Sequence, residues 1–520
     1  MARTQEDLCA RNNTRARLAP PTITLVSLLA SIAACSPPAT APPQDGSFTS
    51  DAGDASDAME DRRDPDAHDP RAPALDHRVS GRAVVAWLRT DADEPWWIEE
   101  ELVALPNRAG DREIGPRSLV RMRPGSTPVT VFRATGDERL LSAVSHPSRA
   151  WTAALVDARG AVSLVRGNAD GSIVARVAAD DPMFAADRLA WLEGGGGPPT
   201  HTPIAPGRAE DSVRLAASGE DVLLTLTTYW GSALAYRWRF VDGAFVRGPR
   251  TLLAPANPLP VFIPDTASYD VFDAVTNPWS THSCVAPDGR AYVAIWVDHS
   301  RLQVLNAAWG TRLSLVRRDL TIVERPSDIL VTRVERDGAR SLQLIVGTAD
   351  VDDEPFAIAC ATDGRVAVAG RHRREPGRDN TEIHGFAAVI DGDRGTFVSR
   401  TFDGQQLALF QTAAFDARGA LWLGGTEDWV QNPVGVSVGG QGRPFVVRWD
   451  AREPGEPERV TVAATRGHSE VRAIAVTGAN DAALWLAGIE DGPVTHTFDG
   501  NRAALRGDGW VSIRPVQPRP

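Results

Sequence analysis

From about Asp76 to Ile513 the chain alternates short apolar runs with turn residues. Ala83–Trp87, Val222–Leu226, Ala291–Trp296 and Leu421–Leu423 are strings of Val, Ala, Leu, Ile, Tyr, Thr and Trp, bounded by Gly, Asp, Asn or Pro. Runs of this length between such punctuation predict strands and turns. Many are apolar at consecutive positions, which predicts strands covered on both faces. The one stretch that reads as a helix is Met183–Glu193, stopped by Gly194–Gly197.

A repeat underlies these runs: a turn ending in glycine or Asp-Gly, then an apolar strand. Its clearest copies start at Ala286, Ala361, Asp416 and Ala479, and weaker ones lie around Gly81, Gly160 and Gly219. Anchors at 81, 160, 219, 289, 364, 419 and 481 are spaced by 55–79 residues. Such a period fits four-stranded blades with long loops. The expected fold is therefore all-β: a β-propeller of seven blades, with six or eight as alternatives, over residues 76–520. A toroid of sheets leaves only short, protected edges. The rival architecture is two stacked β-sandwiches. Closing the ring needs the two ends of the domain to share a blade, and Trp510–Ile513 is the candidate strand to lie beside Arg82–Leu88. The pattern Asp-Gly-Arg, apolar strand, Ala-Gly, followed by Gly385–Asp393, resembles the delta-repeat propellers of secreted bacterial proteins, best over 357–490.

Ahead of the domain the pattern changes twice. Ile23–Cys35 is an apolar run that follows Arg3, Arg11, Arg15 and Arg17 and ends in small residues. A basic front, a short apolar core and a small-residue cleavage site make a secretory signal. The run is shorter than the roughly 20 residues a spanning helix needs. Ile32-Ala33-Ala34-Cys35 resembles the lipobox of bacterial lipoproteins. That resemblance implies removal of residues 1–34, acylation of Cys35 (palmitate among the acyl groups), and export to a membrane. Ser36 after the cysteine resembles the signal for the outer membrane. Residues 35–75 are rich in Pro, Ala and Asp and almost free of aliphatic and aromatic residues. Such a segment buries too little to offset its ordering entropy, so a disordered tether is expected.

Composition narrows the function classes. The 520 residues carry a net charge of −12 and no lysine. Nucleic acid needs a basic face, so it is not an expected partner. Of four cysteines, Cys9 falls in the signal and Cys35 in the lipobox, leaving Cys284 and Cys360. These lie near equivalent repeat positions in adjacent copies. They read either as a disulfide, which an exported location permits, or as two small buried thiols. Their one-residue offset counts against the bond, because successive strand side chains point to opposite faces.

Few motifs point to chemistry. Gly435-Val-Ser437-Val-Gly439 matches a nucleophile elbow, but Pro433 before it and Gly440–Pro444 after it forbid the helix the elbow requires. His282, Cys284 and His299 fall short of a converging metal set. No metal, cofactor or catalytic residue is expected. Aromatics outside predicted strands are the candidate binding residues: Trp96, Trp97, Tyr229, Trp230, Tyr269, Trp279 and Trp429. Trp87, Trp151, Trp296, Trp422 and Trp485 read as core. The insertions at 180–211 and 255–281 are the candidate binding loops, and Asp265, Asp270 and Asp273 in the second are acids that could do acid–base work as a pair. The expected function is a lipid-anchored, non-catalytic binding module at the cell envelope. Its partners would be the membrane, through the anchor, and an envelope protein or polysaccharide. The alternatives are a polysaccharide hydrolase or lyase on the same scaffold, and a structural envelope-assembly protein.

Overall fold

The computed structural model describes residues 77–515, except 80, 89–94, 105–111, 123–125, 158–160, 180–212, 228–232, 256–280, 317–326, 349–351, 375–381, 403–406, 430–441, 454, 461, 463–464, 466–468, 478–482 and 491–507. The described residues form seven four-stranded antiparallel blades. Blade 1 is β2 (Arg82–Leu88), β3 (Trp96–Ala104), β4 (Arg112–Arg121) and β5 (Val129–Arg133). Blade 2 is β6 (Arg139–Ser145), β7 (Trp151–Val156), β8 (Val162–Gly167) and β9 (Ile173–Ala178). Blade 3 is β10 (Val213–Ser218), β11 (Asp221–Thr227), β12 (Ala233–Val241) and β13 (Ala244–Ala254). Blade 4 is β14 (Thr281–Val285), β15 (Ala291–Asp298), β16 (Ser327–Val334) and β17 (Arg340–Val346). Blade 5 is β18 (Asp352–Cys360), β19 (Arg365–Arg374), β20 (Glu382–Asp391) and β21 (Phe397–Phe402). Blade 6 is β22 (Leu407–Phe415), β23 (Leu421–Trp429), β24 (Arg443–Trp449) and β25 (Glu458–Val460). Blade 7 takes β26 (Glu470–Thr477), β27 (Ala483–Glu490) and β28 (Asp508–Pro515) from the C-terminal end and β1 (His77–Val79) from the N-terminal end.

The ring closes through β1. His77 pairs with Val511 and Val79 with Gly509. The ends of the domain do share a blade, but the partner of β28 is His77–Val79, not Arg82–Leu88. β2 is instead the first strand of blade 1, and its backbone packs on β28, so a Cβ at Gly509 would meet Arg82 O at 2.7 Å.

The first strands of successive blades are neighbours all the way round, so they line the axis. Connections from first to second and from third to fourth strands fall on one face, the lower. Connections from second to third strands, and to the next blade, fall on the other, the upper. Seven apolar clusters fill the seven junctions between blades. Second strands lie between neighbours on both sides, which is why every residue of β7 is buried. The consecutive apolar runs in the sequence are these strands.

Four of the seven repeat anchors, Gly219, Gly289, Gly364 and Gly419, are first turns of blades 3 to 6, and position 481 lies between the first two strands of blade 7, outside the described residues. The other two are misplaced. Gly81 leads into blade 1, and Gly160 falls between β7 and β8. The first turn of blade 2 carries no glycine, because Arg149 itself adopts the left-handed conformation at φ 61°. A glycine signature cannot find that turn.

The described residues contain one helix, α1 (His299–Trp309), in the β15–β16 connection. It was not expected from the sequence, whereas Met183–Glu193 lies outside the described residues. Asp298 caps it by accepting from Arg301 N, and Gly310 at φ 67° ends it with a bond to Asn306 O. A capping Asp298 and a left-handed Gly310, twelve residues apart, are its sequence signal. Leu302 and Leu305 hold it on the junction of blades 3 and 4.

Candidate functional site

The repeat motif itself is structural. Asp288 accepts from Arg290 N and Nε, and Arg290 reaches Asp393 in the next blade. Asp363 holds Arg365, whose Nη2 donates to Gly419 O of blade 6 at 2.7 Å. Asp450 holds Arg452 in the same way, and that hydrogen bond keeps its carboxyl below the usual range. The arginine of Asp-x-Arg is thus a strap on the lower face, linking turns of the same or adjacent blades.

The Ala-Gly end of the motif has a different cause. Val85, Leu141, Phe356, Gln411 and Arg472 are extra residues in the first strands of blades 1, 2, 5, 6 and 7, each a β-bulge. In blades 5 to 7 the bulge drives a carbonyl of the first strand into the second. A Cβ at Gly370 would lie 1.9 Å from Glu354 O, one at Gly425 1.9 Å from Leu409 O, and one at Gly488 1.8 Å from Glu470 O. Glycine is required there by contact. Blade 4, with Trp296 near this position, makes no bulge. Bulges at the rim of a closed array re-aim side chains. Here the re-aimed residues in blades 5, 6 and 7 are Phe356, Gln411 and Arg472, all half-buried on strands that line the axis.

Around them stands a set of ion pairs. Arg371 pairs with Glu354 at 2.5 Å and lies over the Phe356 ring at 5.7 Å. Glu470 accepts from Arg472 Nε at 3.0 Å and from Gln411 Nε2 at 3.4 Å, which ties blades 6 and 7. Glu99 accepts from Arg82 at 3.0 Å and from Trp97 Nε1 at 3.0 Å. Arg78 pairs with Glu490 at 2.7 Å. In the last three pairs the carboxylate is buried and the guanidinium is partly exposed. At these three pairs the mouth presents hydrogen-bond donors with the acids underneath, whereas Glu354 is more exposed than its partner Arg371.

A second polar cluster is closed. Asp353 accepts from His372 Nδ1 at 2.9 Å and from Thr348 N at 2.6 Å, and His384 stacks beyond at 6.3 Å. Asp353 and His372 are 0% and 2% exposed. This buried Asp–His pair binds the blade 4–5 connection to β18 and β19. Among the described residues no three or more of His, Cys, Asp and Glu converge as a metal set.

Cys284 and Cys360 form a disulfide, with S–S 2.06 Å and Cα–Cα 5.7 Å. It joins the first strands of blades 4 and 5, so Cys284 is not available as a metal ligand beside His282. The one-residue offset works in its favour. Cys360 occupies the blade 5 position that Val285, one residue on from Cys284, holds in blade 4. Equivalent residues of successive blades point the same way round the ring. Two side chains can face each other across a junction only when their positions differ by an odd number of residues.

The nominated aromatics divide. Trp96 and Trp97 are not loop residues: they open β3 and are 3% and 0% exposed, Trp96 in the blade 1–2 core and Trp97 in the blade 7–1 core. An adjacent pair is covered on both sides because a blade has a neighbour on each face. Tyr229, Trp230, Tyr269, Trp279, Asp265, Asp270, Asp273, Ser437 and Cys35 lie outside the described residues. Trp429 ends β23, and its side chain is likewise not described. The mouth residues carried no motif of their own. Their sequence signal was the glycine that closes the repeat, Gly370, Gly425 and Gly488, which marks the bulge opposite.

No protein-family model matches the chain, and no curated protein matches it in sequence. Solved structures resemble it in fold. Polysaccharide lyase Uly1 is 10% identical, with 86% of this chain and 100% of that one covered and a TM-score of 0.43. An alpha-L-arabinanase of Penicillium chrysogenum is 10% identical over 72% and 92%, with a TM-score of 0.40. The propeller domain of the Trilobed protease of Pyrococcus furiosus is 8% identical over 83% and 94%, with a TM-score of 0.39. The chemistry has to be read from this chain's own residues.

Proposed function

We propose that this chain is an exported, lipid-anchored binding module whose propeller meets its partner at the upper mouth and performs no chemistry there. The observation that carries the reading is the spent state of the mouth. Glu99, Glu470 and Glu490 lie buried under arginines. A general acid or base needs an accessible carboxyl or imidazole within reach of substrate. Among the described residues the mouth offers guanidinium, amide and aromatic groups on a rigid ring, which are groups for recognition, and its partly exposed carboxylate, Glu354, is held in an ion pair by Arg371.

Export and anchoring rest on the lipobox Ile32–Cys35 and are supported by the Cys284–Cys360 disulfide, since such bonds persist in oxidising compartments. An acylated Cys35 would hold the chain to a membrane, and the Pro- and Asp-rich segment after it would keep the propeller clear of the surface. Outer-membrane placement rests on Ser36 in the same way. The test is fractionation of cells making wild type or Cys35→Ala, with a palmitate label. The variant should lose the label and move to the soluble fraction. Retention in membranes would refute the anchor.

A further inference from the structure

The closure of the ring concentrates arginines at the upper mouth. Arg78 ends blade 7, Arg82 opens blade 1 and Arg472 sits in the bulge of β26, the neighbour of β2. Each is anchored to a carboxylate that is at most 4% exposed. The anchoring is partial for two of them. Arg472 gives only its Nε, to Glu470, and Arg82 only its Nη1, to Glu99. Both Nη groups of Arg472, and the Nε and Nη2 of Arg82, remain as donors on half-buried side chains. A guanidinium fork fixed at one nitrogen, with its other donors left over, matches the paired oxygens of a carboxylate or sulfate.

The next bulges along the mouth carry Gln411 and Phe356. The row thus runs guanidinium, guanidinium, amide, aromatic ring across successive first strands. Such a row fits an extended polymer better than a small ion, and its neutral members suit hydroxyl groups and the apolar face of a sugar. Resting on the binding-module reading, we propose that the upper mouth from blade 5 to blade 1 binds an acidic polysaccharide. Arg472 and Arg82 hold its charged groups, and Gln411 and Phe356 meet the adjoining sugar.

The test is binding of the full-length chain to four immobilised polymers: polygalacturonate, dextran sulfate, neutral dextran and poly-glutamate. The first two separate carboxylate from sulfate as the charged group, and retention on either supports the site. Dextran and poly-glutamate should retain little. Replacing Arg472 alone would take the guanidinium from the buried Glu470 carboxylate, so the variant is Arg472→Gln with Glu470→Gln. A second variant, Arg82→Gln with Glu99→Gln, covers the other pair. Each should weaken binding about tenfold or more, the loss of a charge-assisted contact, with unchanged melting temperature. No binding to either acidic polysaccharide, equal binding to poly-glutamate, or variants that bind like wild type would overturn the proposal. Shortening of the polysaccharide on incubation would support the site and overturn the non-catalytic reading instead.

Discussion

Removing the Cys284–Cys360 bond tests both the packing of blades 4 and 5 and the chemistry of the compartment. The perturbation is the double replacement Cys284→Ala and Cys360→Ala. Both sulfurs border the apolar cluster between the two blades, so alanine keeps the site apolar and the folded ring intact. The effect falls mainly on the unfolded chain. The bond closes a loop across a sequence separation of 76, and the chain-entropy relation gives about 4 kcal/mol for a loop of that length. The measurement is urea unfolding without reductant. The variant should lose about 4 kcal/mol and show a somewhat larger dependence on urea, because its unfolded chain is less constrained. Reductant should bring wild type to the variant's midpoint and leave the variant where it is. Non-reducing proteolysis should release the two cysteine peptides as one linked species. Separate peptides from the oxidised protein, or equal midpoints without reductant, would sink the argument.

Other perturbations test the remaining contacts. Gly370→Ala and Gly488→Ala each place a Cβ within 2 Å of a backbone carbonyl and should cost about 1–3 kcal/mol. Gly455→Ala, with nothing within 4 Å, should leave the melting temperature unchanged or raise it; equal effects at all three would refute the bulge argument. Burial and the Arg166 guanidinium push the His146 pKa down from 6.5 to about 4, while its nitrogens bond Gly219 O and Thr152 Oγ1 at 2.8 Å. Its folded pKa is lowered, so its stabilisation is complete above pH 6.5 and is lost as pH falls toward 4. In denaturant titrations at stepped pH, His146→Gln should flatten that part of the stability curve; an unchanged slope would count against it.

How much of this could be read from the chain depended on the kind of signal. The β class, the blade count and the shared closing blade were legible, because an apolar run between turn residues is a local property. The individual turns were less so. Blade 2 hides its first turn by putting Arg149 where a glycine is expected, and α1 hides among β segments because its cap and stop are single residues. Trp96 and Trp97 misled for the opposite reason. Nothing local distinguishes an aromatic pair at the start of a covered strand from one on a loop. The mouth was invisible: Arg82, Arg371, Gln411 and Arg472 are single polar residues in four different strands, and hundreds of residues separate the first from the last.

The chain alone carried the short strands, the recurring Asp-x-Arg turns and the apolar run ending in Cys35, with a ring expected over stacked sandwiches. Each is a statement about neighbours along the chain, where turn and strand preferences act. Only the tertiary structure decided which residues face each other across a junction. It reversed the argument over Cys284 and Cys360, because facing positions in a ring of like-handed blades differ by an odd step. It assigned the glycines to carbonyl contacts and set the arginines over buried carboxylates. Those outcomes depend on closure of the ring, which brings His77–Val79 to the far end of the domain, and no local pattern carries that distance.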